Sequence, residues 1–265
     1  MESATEYWTA RALLEWQVEL GADEAMLDAP LDRYALRDKS TGKMKRPAEP
    51  QTDDSESSSK QAAPNVVAEA ELAANNASTL DELKVAMGSF EHCDLKKGAR
   101  NLVFSDGNSA ARVMIIGEAP GRDEDVEGKP FVGRAGQLLN KMFAAIDMAR
   151  DHPSSEQSLY ITNVLPWRPP SNRTPDPDEI AMLLPFLKRH VEIVSPDFIV
   201  LMGNTPCQAL LGRGGITRLR GQWVDVLDRP ALPMFHPAYL LRQPAHKREA
   251  WADLLSLQAR LRGSE

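Results

Sequence analysis

From residue 111 onward the chain alternates four times between a short apolar run and a segment of helical spacing. ARVMIIG (111–117) precedes GRAGQLLNKMFAAIDM (133–148), and LYITNVLP (159–166) precedes DPDEIAMLLPFLKRHVEIV (176–194). DFIVLMG (197–203) precedes TPCQALLG (205–212), and LPMFHP (232–237) precedes KREAWADLLSLQARL (247–261). Runs this apolar suit strands buried on both faces, which parallel sheets require. Asp176 as N-cap, Pro177 in the first turn and the acids after it mark a helix start. The pattern predicts an α/β fold: a three-layer α/β/α sandwich around a central, mostly parallel four-stranded sheet. Ligands in such folds sit beyond the carboxyl ends of the strands. Three segments fall there: the stretch after MIIG, Asn163 in ITNV, and His236 in MFHP.

The first of these, GEAPGRDEDVEGKPFVGRAG (117–136), mixes acids with glycines and holds one Phe. It lacks the GxGxxG spacing of a dinucleotide site and the Gly-Lys-Ser/Thr of a phosphate-cradling loop. The spacing thus asks for chemistry that uses acids and exposed backbone at a strand end.

The net charge of −7 argues against a nucleic-acid partner only until its distribution is read. Of 38 acids and 31 bases, residues 1–85 hold 17 and 9, leaving 21 and 22 for the rest. Within that rest, 207–248 carries seven Arg/Lys against Asp225 and Asp228, so one face is able to meet phosphates. No stretch approaches the ~18 apolar residues of a membrane span, and acids stand where a signal peptide has basic and apolar regions. Cys93 and Cys207 make no disulfide framework. These features predict a soluble, cytoplasmic protein without a membrane partner.

Three regions are expected. Residues 1–38 form an N-terminal helical segment with Trp8, Leu13, Leu14, Trp16, Val18 and Leu20 as its apolar stripe. Residues 39–80, rich in Ser, Pro, Ala and charge, form a flexible linker with a short helix near its end. Residues 81–265 form the catalytic domain. The N-terminal segment reads equally as an element that binds a protein partner and as a solubility feature.

Three motifs, in order, resemble those of family 4 of the uracil-DNA glycosylase superfamily. The first is Gly117-Glu118-Ala119-Pro120-Gly121, then Glu124-Asp125, Gly128, Pro130-Phe131-Val132-Gly133, Ala135-Gly136 and Leu138-Leu139. The second is Thr162-Asn163-Val164, Arg168-Pro169-Pro170 and Asn172-Arg173-Thr174-Pro175. The third is His236-Pro237-Ala238-Tyr239-Leu240-Leu241-Arg242. The resemblance covers roughly residues 90–258.

The resemblance implies an enzyme, a monofunctional DNA N-glycosylase that hydrolyses uracil from DNA and starts base excision repair, leaving an abasic site and free uracil. It implies that Asn163 pairs with uracil O4 and N3–H, a donor–acceptor order that cytosine reverses, and paired hydrogen bonds discriminate strongly. Phe131 takes the stacking position against the flipped base, worth ~1–3 kcal/mol. His236 stabilises the leaving uracil anion. Glu118, with Glu124 as second choice, faces the cationic sugar and orients water. Backbone groups of Ala119, Pro120 and Gly121 meet the base, and Arg242, Arg168 and Arg173 hold DNA phosphates. A monomer is expected.

Family 4 enzymes hold a [4Fe–4S] cluster on four cysteines, and here the sequence departs. The family positions correspond to Phe90, Cys93, Trp167 and Leu184, so Cys93 is the one family-position cysteine. One thiolate does not hold a cluster that needs four. No cofactor and no metal are expected, and the large apolar replacements are expected to fill the volume by packing. The alternative function is a non-catalytic protein that binds uracil or abasic sites in DNA. A small-molecule hydrolase would need a G-x-S-x-G elbow or a metal-ligand cluster, and neither motif is present.

Overall fold

A computed structural model describes residues 66–263, all within one compact unit spanning Ser59–Glu265. The expected N-terminal helices of 1–38 and the linker up to residue 65 lie outside the described residues.

One sheet organises this unit. Its strands are β1 (Asp106–Gly107), β2 (Val113–Gly117), β3 (Leu159–Asn163), β4 (Phe198–Met202), β5 (Val224–Val226) and β6 (Arg229–Met234), in the order β1-β3-β2-β4-β6-β5. The four inner strands β3, β2, β4 and β6 are parallel, as expected. The expected four-stranded sheet is corrected to six, because β1 and β5 add short antiparallel edges. Two and three residues long, these edges leave no apolar run to read.

Every residue of β2, β3 and β4 is buried. Alternate residues face opposite sides of a strand, and the cores divide accordingly. On one side Val113, Ile115, Val200 and Met234 pack with Leu139 and Phe143 of helix α4 (Arg134–Ala144) and with Leu254 and Leu257 of α8 (Lys247–Gly263). On the other side Met114, Ile116, Ile199 and Leu201 pack with Leu187 and Val191 of α5 (Pro177–Val194) and with Cys207 of α6 (Asn204–Leu211). Asp176 caps α5, its N–H accepted by Glu179 Oε2 at 2.9 Å, and Pro177 opens the first turn.

Residues ahead of the expected boundary at 81 also pack into the core. Helices α1 (Val66–Asn75) and α2 (Leu80–Ser89) bury Ala70, Ala74, Leu83 and Met87 in a third cluster with Phe186 of α5. Alanines at 70 and 74 let α1 approach closely, so an alanine-rich segment with little apolar bulk still joins the core. Among the described residues no helix is long and apolar enough to cross a membrane.

Two further helices, α3 (Arg122–Glu127) and α7 (Pro237–Arg242), follow the carboxyl ends of β2 and β6. Parallel pairing places the ends of all four inner strands at one edge of the sheet.

Candidate active site

The register of β2 and β3 sets Gly117 beside Asn163. A Cβ on Gly117 would lie 2.4 Å from Asn163 Oδ1 and 2.6 Å from Cε2 of Phe131, so only a bare glycine lets the carboxamide and the ring meet here. A cavity of about 300 Å³ opens above them. That is the small end of ligand pockets, suited to one heterocycle. Every site residue expected from the sequence except Arg168 lines it: Glu118, Ala119, Pro120, Gly121, Glu124, Phe131, Asn163, Arg173, His236 and Arg242.

Asn163 is 7% exposed, no protein group hydrogen-bonds its carboxamide among the described residues, and it lines the cavity, where its polar atoms stay open to solvent. A polar group that is nearly buried and unpaired calls for a ligand or solvent to satisfy it. Phe131 sits in the left-handed region at φ 54°, a conformation that costs a non-glycine residue of order 1–3 kcal/mol and clusters at functional sites. Its ring stacks on His236 with centroids 5.3 Å apart. A base held between two rings needs about 7 Å, two ~3.5 Å contacts, so these rings do not sandwich it.

His236 caps α7: its Nδ1 accepts the Ala238 N–H at 3.1 Å. A backbone amide only donates, so Nδ1 is unprotonated and the neutral ring carries its proton on Nε2. Burial, reinforced by the Arg242 charge, pushes the imidazole down to about 4. The cavity therefore holds a neutral donor at physiological pH.

The two acids differ in their commitments. Glu118 follows β2, is part-buried, and accepts the Thr205 hydroxyl on Oε2 at 2.5 Å. Glu124 gives Oε1 to the Val132 and Gly133 amides at 3.0 and 2.9 Å, and Oε2 to the Gly121 amide at 3.1 Å. The second-choice catalytic acid thus braces the loop on either side of Phe131 with both oxygens. The expected backbone contacts narrow as well. Pro120 has no N–H and the Gly121 N–H is taken by Glu124, leaving Ala119 as the one of the three whose amide has no partner among the described residues.

The cations also separate. Arg242 ends α7 at the cavity and has no acidic partner among the described residues. Arg173 lies at the rim but is paired with Glu179 at 2.6 Å and Asp176 at 3.2 Å. Arg168 lies off the cavity and donates to Asn172 Oδ1 at 2.8 Å.

Three residues were missed from the sequence. Gly203, at φ 97°, turns the chain out of β4 and donates to Met234 O at 3.0 Å. Thr205 follows it and reaches Glu118. Arg150 supports Phe131 from behind. The end of β4 was the one inner strand end passed over, although Met-Gly-Asn-Thr after an apolar run carried the same signal as the other three.

The positions that correspond to the family's cluster ligands are apolar and packed. Phe90, Cys93 and Trp167 are 6%, 1% and 3% exposed and share one cluster with Leu183 and Phe186. The assignment of Leu184 is corrected, because one residue along a helix is ~100° around its axis. Leu184 faces the other cluster, with Leu187 and Cys207. Burial raises the Cys93 thiol, which disfavours the thiolate a metal needs. The residues present do not fit a four-thiolate iron–sulfur cluster, and among the described residues no group of three His, Cys, Asp or Glu gathers to hold a metal.

Comparison with known proteins gives a consistent result. The family model of the uracil DNA glycosylase superfamily matches residues 104–255. A type-4 uracil-DNA glycosylase of Thermotoga maritima is 39% identical over 158 residues, 58% of this chain and 79% of its own. One of Archaeoglobus fulgidus is 37% identical over 185 residues, 66% of this chain and 89% of its own. One of Sulfurisphaera tokodaii is 36% identical over 176 residues, 63% of this chain and 77% of its own. With the match spanning every strand of the sheet and each motif around the cavity, the chain belongs to the uracil DNA glycosylase superfamily.

Proposed function

We propose that this chain is a monofunctional uracil-DNA glycosylase that begins base excision repair. It acts as a monomer in the cytoplasm on uracil-containing DNA. The observation that carries the reading is the unpaired Asn163 carboxamide beside a neutral His236 in a cavity sized for one base.

The flipped uracil lies against Phe131 and gives O4 and N3–H to Asn163. His236, through Nε2–H, donates to O2, and the Ala119 amide stands beside it as a second donor. The C1′–N1 bond breaks with its electron pair passing into the uracil ring and onto O2, where these fixed donors stabilise the growing negative charge. The sugar becomes cationic. Glu118 faces it, orients the attacking water and takes a proton as the new C1′–O bond forms. Uracil leaves and an abasic site remains. Arg242 is the principal phosphate contact, because Arg173 already spends its charge on Glu179 and Asp176. Glu124 shapes the loop that presents Phe131.

No resident cofactor enters this scheme, and the buried Phe90, Trp167 and Leu183 around Cys93 support a catalytic domain without an iron–sulfur cluster.

The test is a labelled oligonucleotide bearing one uracil, incubated with the protein and then treated with alkali. Wild type is expected to yield a break at the uracil. His236→Ala and Asn163→Ala are expected to lose about 10²–10³-fold, the usual cost of one such group, and Glu118→Gln to lose activity as well. Intact DNA accompanied by a gel shift on uracil strands would replace the enzyme with a recognition protein on the same frame.

A further inference from the structure

We infer that Thr205 is a positioning residue for Glu118, a role that rests on the hydrolytic reading of the site. Thr205 is 5% exposed and its hydroxyl donates to Glu118 Oε2. The two come from different crossovers of the sheet: Glu118 follows β2 and Thr205 follows β4, its neighbour in the parallel order. No other side chain hydrogen-bonds the Glu118 carboxylate among the described residues.

The geometry around Thr205 is fixed. Gly203 at φ 97° has its N–H held by Met234 O, and a Cβ there would lie 3.3 Å from the His236 Cβ. Asn204 Oδ1 accepts the Gly215 and Ile216 amides at 3.1 and 2.8 Å, which ties the start of α6 to the next loop. The two residues before Thr205 are thereby anchored, and as a β-branched residue it has few rotamers of its own. Its hydroxyl fixes one carboxylate oxygen and leaves Oε1 without a side-chain partner among the described residues, on a residue that lines the cavity. Without it, the Glu118 side chain is free to explore rotamers that point Oε1 elsewhere.

The experiment is a double-mutant cycle with single-turnover kinetics on a uracil-containing oligonucleotide. Thr205→Val keeps the shape and removes the hydroxyl; Thr205→Ser keeps the hydroxyl. Thr205→Val is expected to slow the chemical step about tenfold or more, in line with one hydrogen bond to a charged group. Its affinity for the DNA is expected to stay unchanged, and Thr205→Ser to restore most of the rate. In a Glu118→Gln background, Thr205→Val is expected to add little further loss. Equal rates for wild type and Thr205→Val, or the same fractional loss with and without Glu118, would overturn the inference. Should Thr205→Val fold poorly, Thr205→Ala and Thr205→Ser are compared at matched folded fraction, and equal rates for those two overturn it as well. If Glu118→Gln itself keeps full activity, the hydrolytic reading of Glu118 fails instead, so the two failures are distinguishable.

Discussion

Arg150 donates to the carbonyl oxygen of Phe131 at 2.8 Å, and the remaining donors of its guanidinium are committed around that bond. Nη1 reaches Pro130 O at 3.0 Å and Asp106 Oδ2 at 2.8 Å, while Nε and Nη2 share Asn140 Oδ1 at 3.1 and 2.9 Å. One side chain thus fastens the Phe131 turn to the edge strand β1 and to helix α4. A left-handed phenylalanine persists only where its surroundings over-determine it, and Arg150 supplies much of that determination from the side away from the cavity. Gly136 completes it, since a Cβ there would lie 1.7 Å from Phe131 O.

Replacing Arg150 by Lys keeps the charge and loses the planar fork, a change that is not conservative at a site using all five donors. Arg150→Lys is expected to raise KM for uracil-containing DNA about tenfold, one lost oriented hydrogen-bond set, with a smaller change in kcat. Steady-state kinetics together with a melting curve check this. A lower Tm with KM unchanged would confine Arg150 to stability.

The parts that were legible in the sequence and the parts that were not divide on a physical line. The inner strands announced themselves because parallel strands are covered on both faces, so β2, β3 and β4 are unbroken apolar runs. Gly117, Asn163 and His236 were found because each stands directly at a strand end. The roles of Glu124, Thr205 and Arg150 depend on partners that the sequence does not place nearby. Thr205 and Glu118 are 87 positions apart, and Arg150 and Asp106 are 44 apart. Glu124 read as the second-choice acid facing the sugar, whereas three backbone amides converge on it only after α3 and the following turn fold back. The short helix expected near the end of 39–80 is α1, but its place in the core was hidden, as were the edge strands, because neither carries enough bulk to make a pattern.

Two histidines make stability depend on acid. Burial pushes His236 down to about 4 and His190 to about 3, from an ordinary value near 6.5. His190 is hydrogen-bonded to Tyr160 Oη at 2.8 Å and stacked on Phe104, so it is held neutral inside the fold. For a base whose folded value is depressed, the unfolded chain binds the proton first, and stability falls as pH drops from about 6.5 through about 4 and 3. Above pH 7 these groups contribute no slope. NMR titration of the imidazoles is the direct check, with His236 expected to stay neutral, Nδ1 bare, down to about pH 4. A His236 that titrates near 6.5 would remove the neutral donor from the mechanism.

The apolar plug around Cys93 carries the last prediction. Trp167 lies one residue before Arg168 and shares its cluster with Phe90, Leu183 and Phe186, so it joins the end of the β3 segment to helix α5 by packing alone. Truncating a buried aromatic to Ala leaves a cavity and costs ~3–5 kcal/mol. Trp167→Ala is therefore expected to lower Tm markedly while uracil excision per folded molecule stays near wild type. Cys93→Ala is expected to leave both activity and metal content unchanged, because its thiol is buried among hydrocarbon and held protonated. Elemental analysis of protein purified without oxygen completes the test: iron and acid-labile sulfide at stoichiometric levels, lost in Cys93→Ala together with stability, would mean that a cluster and not packing holds this end of the domain. Loss of excision in Trp167→Ala at an unchanged Tm would instead place the tryptophan in the chemistry.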